Sequence, residues 1–459
     1  MSENRTPENK MGVMPVGRLL LNMALPMVIS MLVQALYNVV DSIYVSRISE
    51  SAVTALSLAF PIQNLQIGAA VGIGVGVNAL LSKSLGEKNS QMAHFAAGNG
   101  LFLAIVCTIA FMIFGAVGVR PYYMMQNTSL ETAEAGIAYS SLCCLLTGGV
   151  FLEILFERLL QATGRTLHTM FTQGVGAITN IVLDPVFIFG VEALGIPAMG
   201  TAGAAVATVA GQWLAALLAL ILNIKCNPDV KFGLKYIRPI KEAVRPILTV
   251  GVPSAIMNGI GSITNFTMNQ ILLGFQVVGE TASGVFGIYF KLQSFFFMPL
   301  FGLNNAAISI IAYNYGAKKP DRIMRTLKIA FCAAFTFMVC GFAVFQIAPE
   351  MLLNLFNPSE SFMAIGCSAL RRISIHFPVA AFCIVLISSF QALGNGLYST
   401  LVSLCRQLIA LLPAAYLFSL TGNVHNVWWA FGVAEIVSAT VCALLFLRLY
   451  KRKIRPLFQ

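Results

Sequence analysis

The sequence predicts an all-α membrane protein, with twelve transmembrane helices in two homologous six-helix lobes related by a pseudo-twofold axis along the membrane normal. Three observations predict it. Of 459 residues, 58% are apolar and only 10% are charged, against about 25% charged in soluble proteins. The apolar stretches are continuous and run about 20 residues or more, enough to cross a ~30 Å hydrocarbon core as helices that satisfy their own backbone. A barrel would show alternation instead. The chain also repeats. Pro26 and Asn38 recur as Pro253 and Asn265 (253 − 26 = 227), and Gln63, Gly86, Lys88 and Gly164 recur as Gln293, Gly316, Lys318 and Gly394 (293 − 63 = 230). Six crossings per half is even, so both halves start on the same side and the axis runs along the membrane normal.

The twelve stretches centre near residues 30, 65, 106, 148, 178, 212, 258, 296, 335, 375, 407 and 438. The first contains Pro26 and a polar stripe of Gln34, Asn38 (or Tyr37) and Asp41, whose spacings of three and four share one helix face. The second contains Pro61 and the run Gly68, Gly72, Gly74, Gly76, which permits close helix approach. The third is apolar throughout. The fourth carries Glu153 and, one turn on at its cytoplasmic end, Glu157 beside Arg158. The fifth repeats the polar stripe as Gln173, Ala177, Asn180 and Asp184, and Pro185 frees the Ile181 carbonyl. After the sixth, a basic segment with the turn-forming pairs Asn227, Pro228 and Arg238, Pro239 divides the halves. The expected division is a lobe over 1–223, a linker over 224–246, and a lobe with a basic tail over 247–459.

The second half departs from the first in its charges. Its seventh stretch has Met268 where the first half has Asp41, and its eleventh has Ala414 where the first half has Asp184. The eighth carries Lys291 and an aromatic run from Phe295 to Phe297. The ninth adds no charge inside its span. His376, in the tenth, reads as a satisfied core histidine. Arg406, in the eleventh, reads as a cation pinned to backbone carbonyls, and Glu435, in the twelfth, as a hydrogen-bonded acid with an access-path role as its alternative.

The net charge of +11 is a topology signal and not a nucleic-acid footprint. With the N-terminus cytoplasmic, Arg5, Lys10, Arg18, Lys83, Lys88, the linker cations, Lys318, Lys319, Arg322 and the tail from Arg448 to Arg455 share one face. Arg47, Arg120, Arg371 and Arg372 occupy the other. This is the positive-inside bias, and it puts both termini in the cytoplasm. The ten cysteines lack a CxxC pair and read as small hydrophobes. The first ten residues lack a signal-peptide pattern. Gly72, Gly74 and Gly76 lack dinucleotide-site context, and no Walker, metalloprotease or nucleophile-elbow motif occurs. The chain is therefore not read as an enzyme, and no cofactor is expected. Energy for transport would come from an ion gradient.

An ionisable group at membrane depth costs roughly 2.5–3.5 kcal/mol or more and is a functional candidate for that reason. Asp41 and Asp184, with the amide of Asn180 and a loose carbonyl, offer what a hard cation such as Na⁺ needs. They equally suit a proton, since two close carboxylates cannot both ionise easily. No cation in the first-half helices is expected to neutralise them. Gln34, Tyr37, Asn38, Glu153, Gln173 and Glu435 are candidates for the cavity wall or a relay.

The segments LVQALYNVVDSIYV, ALSLAFPIQNL, GVGVNALLSKSLGEKN, RLLQATGRT and NIVLDPVFIFG together resemble the multidrug and toxic compound extrusion (MATE) family of cation-coupled antiporters, over nearly the whole chain. The resemblance implies two lobes that alternate access, and export of amphiphilic, often cationic, organic compounds against Na⁺ or H⁺. It is closest in pattern to a bacterial branch, which implies a monomer in the cytoplasmic (inner) membrane with lipid as its surroundings. Carried over by position, that branch's coupling site falls on Asp41, Asn180, Asp184 and Thr208. A lipid-linked precursor flippase and a non-transporting membrane sensor are the competing readings. Few deep cations against several deep carboxylates favour cationic cargo.

Overall fold

An apolar run in lipid leaves the backbone no partner but itself, so each long run closes into a helix. The computed structural model describes residues 9–126, 128–191, 195–356 and 359–458. Among the described residues the only extended pairing is one bridge between Val191 and Ile196. The spans are α1 (Val16–Ser46), α2 (Glu50–Gly86), α3 (Ser90–Val117), α4 (Leu130–Leu145 with Gly148–Ala162), α5 (Thr166–Phe189), α6 (Gly200–Cys226), α7 (Lys241–Leu273), α8 (Gly279–Gly316), α9 (Pro320–Ile347), α10 (Glu360–Ala392), α11 (Gly396–Ser419) and α12 (Ala430–Leu449). Eleven are long and apolar enough to cross a membrane by themselves; α4 becomes the twelfth when its two segments, bent by 46° at Leu146 and Thr147, are taken together. Polar residues mark several starts. Ser49, Asn89 and Ser129 each accept a backbone N–H of the first turn that follows, which satisfies a donor the helix cannot.

The outer surface is apolar. Leu21, Phe60, Ile113, Leu217, Leu417 and Ile436 are all exposed, a surface that water would not tolerate on this scale and lipid does. The chain is a multi-pass membrane protein.

The repeat is visible in the backbone. Lys88 and Lys318 both take a left-handed conformation (φ 56° and 53°), as do Gly164 and Gly394 (φ 82° and 74°). Each pair stands at the offset of the sequence repeat. The lobes meet through α1 against α8 and α2 against α7. Gly76 lies so close to α7 that a Cβ there would stand 2.2 Å from the Ile247 carbonyl oxygen, so only glycine permits this approach. Near the pseudo-twofold axis the contact becomes reciprocal. A Cβ on Gly86 would lie 1.9 Å from the Tyr313 carbonyl oxygen, and one on Gly316 would lie 2.1 Å from that of Lys83. Tyr313 is the repeat partner of Lys83, so one contact is made twice by symmetry, as in an isologous interface.

This α2–α8 contact closes the face that carries Lys83, Lys88 and Lys318. A short N-terminal turn, Lys10–Val13, is tied across it. On the first lobe, Asn9 Nδ2 donates to the Thr163 carbonyl at 3.4 Å. On the second, the Met11 carbonyl accepts from Asn314 Nδ2 (3.2 Å) and Arg322 Nη2 (3.0 Å), and the Gly12 carbonyl from Lys319 Nζ (3.0 Å). The inter-lobe segment is held by His94, by Arg165 and, with the most bonds, by buried Asn99. Asn99 of α3 donates to the carbonyls of Tyr236 (3.0 Å) and Arg238 (3.2 Å) and accepts from the Ile240 N–H (2.9 Å).

Candidate functional site: a central cavity and a carboxylate cluster behind its wall

Between the lobes lies a cavity of about 680 Å³, within the range of small-molecule sites. Both lobes line it, and its ionisable wall residues, with the acids just behind the wall, fall in three groups.

The first group belongs to α1, α5 and α6. Helices α5 and α6 touch backbone to backbone, since a Cβ on Gly211 would stand 2.7 Å from the Gly176 carbonyl oxygen. That approach brings Asn180 to Thr208. With its nitrogen turned toward Asp184 Oδ2 (3.2 Å), the Asn180 amide oxygen accepts from the Thr208 N–H (3.2 Å) and hydroxyl (3.3 Å), the orientation in which every partner is satisfied. Asp184 is fully buried. Helix α1 packs along α5 and places Asp41 near enough to Asp184 for the two charges to interact. Asp41 Oδ1 is buried without a hydrogen-bond partner. Among the described residues neither carboxylate has a cationic partner.

Tyr37, Asn180 and Thr208 stand in the cavity wall, and the two aspartates lie one layer behind it. Gln34 lines the cavity as well. The side chain of Asn38 lies outside the described residues. Tyr139, whose hydroxyl accepts from Gln63 Nε2 at 2.8 Å, is a further neighbour within electrostatic reach of Asp41, which the sequence reading missed. Its only signal was a tyrosine midway along an apolar run. Chemically, two carboxylates, an amide oxygen and a hydroxyl with no balancing cation can take up a monovalent cation or protons.

The second group is on α4 and α5, and here the structure departs from expectation. Glu157 and Arg158 were placed at a cytoplasmic helix end. They are buried instead (3% and 6% exposed) and line the cavity, about one turn short of the helix end at Ala162. Glu157 accepts from Thr172 Oγ1 (2.7 Å) and Gln173 Nε2 (2.8 Å). Gln173 thus serves Glu157 and not the Asp184 cluster. Arg158 donates to Gln161 Oε1 at 3.0 Å. Glu153 lines the cavity with no hydrogen bond among the described residues. Arg158 is a deep first-lobe cation where none was expected, although its partners are on its own helix.

The third group comes from the second lobe. Glu435, 3% exposed, meets Arg406 Nη1 at 3.9 Å and His376 Nδ1 at 3.6 Å, and all three line the cavity. His376 is therefore not a satisfied core residue, since its Nδ1 lacks a hydrogen-bond partner. Arg406 faces an acid and not only backbone carbonyls. It opens a π-helical turn, Cys405–Leu411, inside α11, a distortion frequent at functional sites. Among the described residues no group of three or more His, Cys, Asp or Glu could hold a metal ion.

Comparison with known proteins gives this architecture its place. The MatE family model matches twice, over residues 26–186 and 253–417, so each lobe carries one copy. The chain belongs to the MATE family. It is 24% identical to the multidrug export protein MepA of Staphylococcus aureus (strain MRSA252) over 433 residues, covering 94% of this chain and 93% of MepA. It is equally 24% identical to the FAD transporter of Shewanella oneidensis over 444 residues, 95% of each. Among solved structures it superposes with TM-score 0.90 on a MATE in complex with MaL6 (26% identity, 98% of this chain and 99% of that one). It superposes with TM-score 0.89 on a MOP superfamily transporter from Pyrococcus furiosus (26% identity, 100% of both). As a MATE protein it is a transporter and not an enzyme, and its cargo is a small molecule. The repeat found in the sequence is the family's own duplication.

Proposed function

We propose that this MATE transporter is a cation-coupled antiporter that exports amphiphilic organic cations in exchange for Na⁺ or H⁺. One observation carries the reading. Asp41 and Asp184 sit together in the first lobe directly behind the cavity wall, Asp184 bonded to Asn180 and Asn180 to Thr208, and among the described residues neither acid has a cationic partner. A cation bound there draws α1 and α5 together, and its departure reopens a route for cargo. Because a ligand shifts an equilibrium only by its differential affinity for two states, opposed preferences of ion and cargo give antiport. The second lobe, with Met268 and Ala414 at the matching positions, does not duplicate the site.

The protein sits as a monomer in the cytoplasmic membrane of a bacterium, with both termini and the 224–246 linker inside. The lobes comprise 1–223 and 247–459. The closed basic face is then cytoplasmic. Two cavity arginines, Arg158 and Arg406, favour a second reading with anionic cargo, which the relationship to an FAD transporter also supports. Both stand beside glutamates, and of these Glu435 keeps a carboxylate oxygen without a hydrogen-bond partner.

The test is transport in proteoliposomes of a fluorescent organic cation and, separately, of FAD, with Na⁺ and pH gradients imposed one at a time. Gradient-driven movement of the dye supports the first reading. Movement of FAD alone supports the second, and movement of neither overturns both.

A further inference from the structure

The third cavity group has a geometry that the coupling site does not use. Glu435 presents a carboxylate of which Oε1 has no hydrogen-bond partner, although the residue is 3% exposed. Its other oxygen is 3.9 Å from Arg406 Nη1 and 3.6 Å from His376 Nδ1, both beyond hydrogen-bond length. A carboxylate can only accept, so whatever satisfies Oε1 must be a donor or a cation. Rings surround it. Phe431 stacks on His376 with centroids 6.0 Å apart, and lies 5.8 Å from Tyr289 and 6.1 Å from Phe286. The Tyr289 hydroxyl is within 3.1 Å of His376 Nε2, which fixes that ring. All of these residues line the cavity.

We propose that Glu435 and the Phe431 ring, backed by the buried Phe286 and Tyr289 rings, form the subsite for the positive centre of an organic cation, so that cargo and coupling ion bind in different lobes. The inference rests on the organic-cation reading above and names the place where that cargo binds. A bulky, delocalised cation gains from aromatic faces as well as from the carboxylate. A bare Na⁺ does not, because it needs several oxygens, and here a single free carboxylate oxygen stands beside a guanidinium. Arg406 holds the opposite oxygen and leaves Oε1 open. With no shared ligand, ion and cargo cannot displace each other directly. They compete only through the conformations each prefers, which is allosteric coupling.

The test measures equilibrium binding of tetraphenylphosphonium to the purified full-length protein. This probe is a permanent cation without hydrogen-bond donors, so its charge does not vary with pH. The parent protein should bind it. Glu435→Gln should weaken binding by about tenfold or more, the loss expected for one charged interaction in a desolvated site. Glu435→Asp should recover part of it, and Phe431→Ala should weaken it by several-fold at least, about the worth of one cation–π contact. Asp184→Asn should lose gradient-driven transport yet bind the probe within about threefold of the parent. If Glu435→Gln is unstable, the Glu435→Asp and Phe431→Ala arms still decide. Parent-like binding by Glu435→Gln, or by both Glu435→Asp and Phe431→Ala, overturns the subsite while leaving the transport reading intact. A parent protein that neither binds nor transports organic cations overturns both.

Discussion

A single methyl group at the closed face should open it. In Gly316→Ala the new Cβ would stand 2.1 Å from the Lys83 carbonyl oxygen and 3.0 Å from the Glu87 nitrogen, where ordinary contact begins at 3.4 Å. The obstacle is helix backbone and not a flexible side chain, so α2 and α8 must separate by about 1.3 Å at this end, the difference between those two limits. Overpacking of this kind costs typically about 1–3 kcal/mol. The cost falls only on the state in which the two helix ends touch. Spread over an equilibrium between two states, it is roughly a five- to 150-fold shift in their ratio. Spin labels at the exposed positions Lys88 and Lys318, after replacement of exposed Cys226, Cys332 and Cys340, would report the separation by pulsed electron resonance. The short-distance population should fall in Gly316→Ala. It should fall in Gly86→Ala by a similar amount, because the contact is reciprocal. Gly287→Ala, whose Cβ would meet nothing within 4 Å, should leave it unchanged. A folded Gly316→Ala protein with the parent's distance distribution would refute the claim that this contact holds the face shut.

Asp41→Asn and Asp184→Asn should each abolish gradient-driven efflux in proteoliposomes while the protein still inserts and elutes as one species; near-parental pumping by both moves the coupling site elsewhere. Met268→Leu, at the second-lobe counterpart of Asp41, should transport normally. Arg322→Ala removes donors to the Met11 carbonyl (3.0 Å) and the Met14 carbonyl (2.7 Å), so the N-terminal turn should be cleaved sooner by protease and stability should drop by about 1–3 kcal/mol. Asn99→Ala strands two carbonyls and an N–H of the linker and should lower the melting temperature, and Asn99→Asp, which sets a buried carboxylate oxygen against both carbonyls, should lower it at least as far.

The helices were legible because their cause is local. Run length and the absence of charge set them, and the offset of the repeat set their order. The polar stripe of α5 was legible for the same reason, since Asn180 and Asp184 are one turn apart on any helix. What sequence could not place were groups that depend on how helices bend and meet. Glu157 and Arg158, near the end of α4, are buried in the cavity wall, which follows from what packs around that end and not from spacing along the chain. Gln173 shares a face with Asn180, yet its partner lies on a different helix. Glu435, His376 and Arg406 come from α12, α10 and α11, and no spacing along the chain links them. A weak signal did exist. A deep glutamate costs several kcal/mol unless it faces a cation, so the partner of Glu435 could have been narrowed to Lys291 or Arg406 on cost alone. The Asn99 clamp on the linker had no such signal, because its partners are backbone groups, which carry no sequence identity.

The asymmetry between the lobes also bears on the driving force. The backbone is twofold symmetric down to reciprocal contacts at Gly86 and Gly316, but the unbalanced acids are in one lobe only. On the proposed mechanism, the number of ions that Asp41 and Asp184 hold at once decides whether voltage contributes. One Na⁺ shared by both carboxylates, exchanged for one monovalent organic cation, moves no net charge, and the membrane potential then adds nothing to the gradient. Two protons, one on each aspartate, exchanged for the same cargo move one net charge inward, worth about 2.3 kcal/mol per 100 mV. At about 1.4 kcal/mol per decade, that is close to a fiftyfold gain in the cargo gradient. The two coupling ions are therefore distinguishable by more than substitution of the buffer. A Na⁺-driven flux indifferent to voltage and a proton-driven flux that rises with it would each follow from the same pair of side chains.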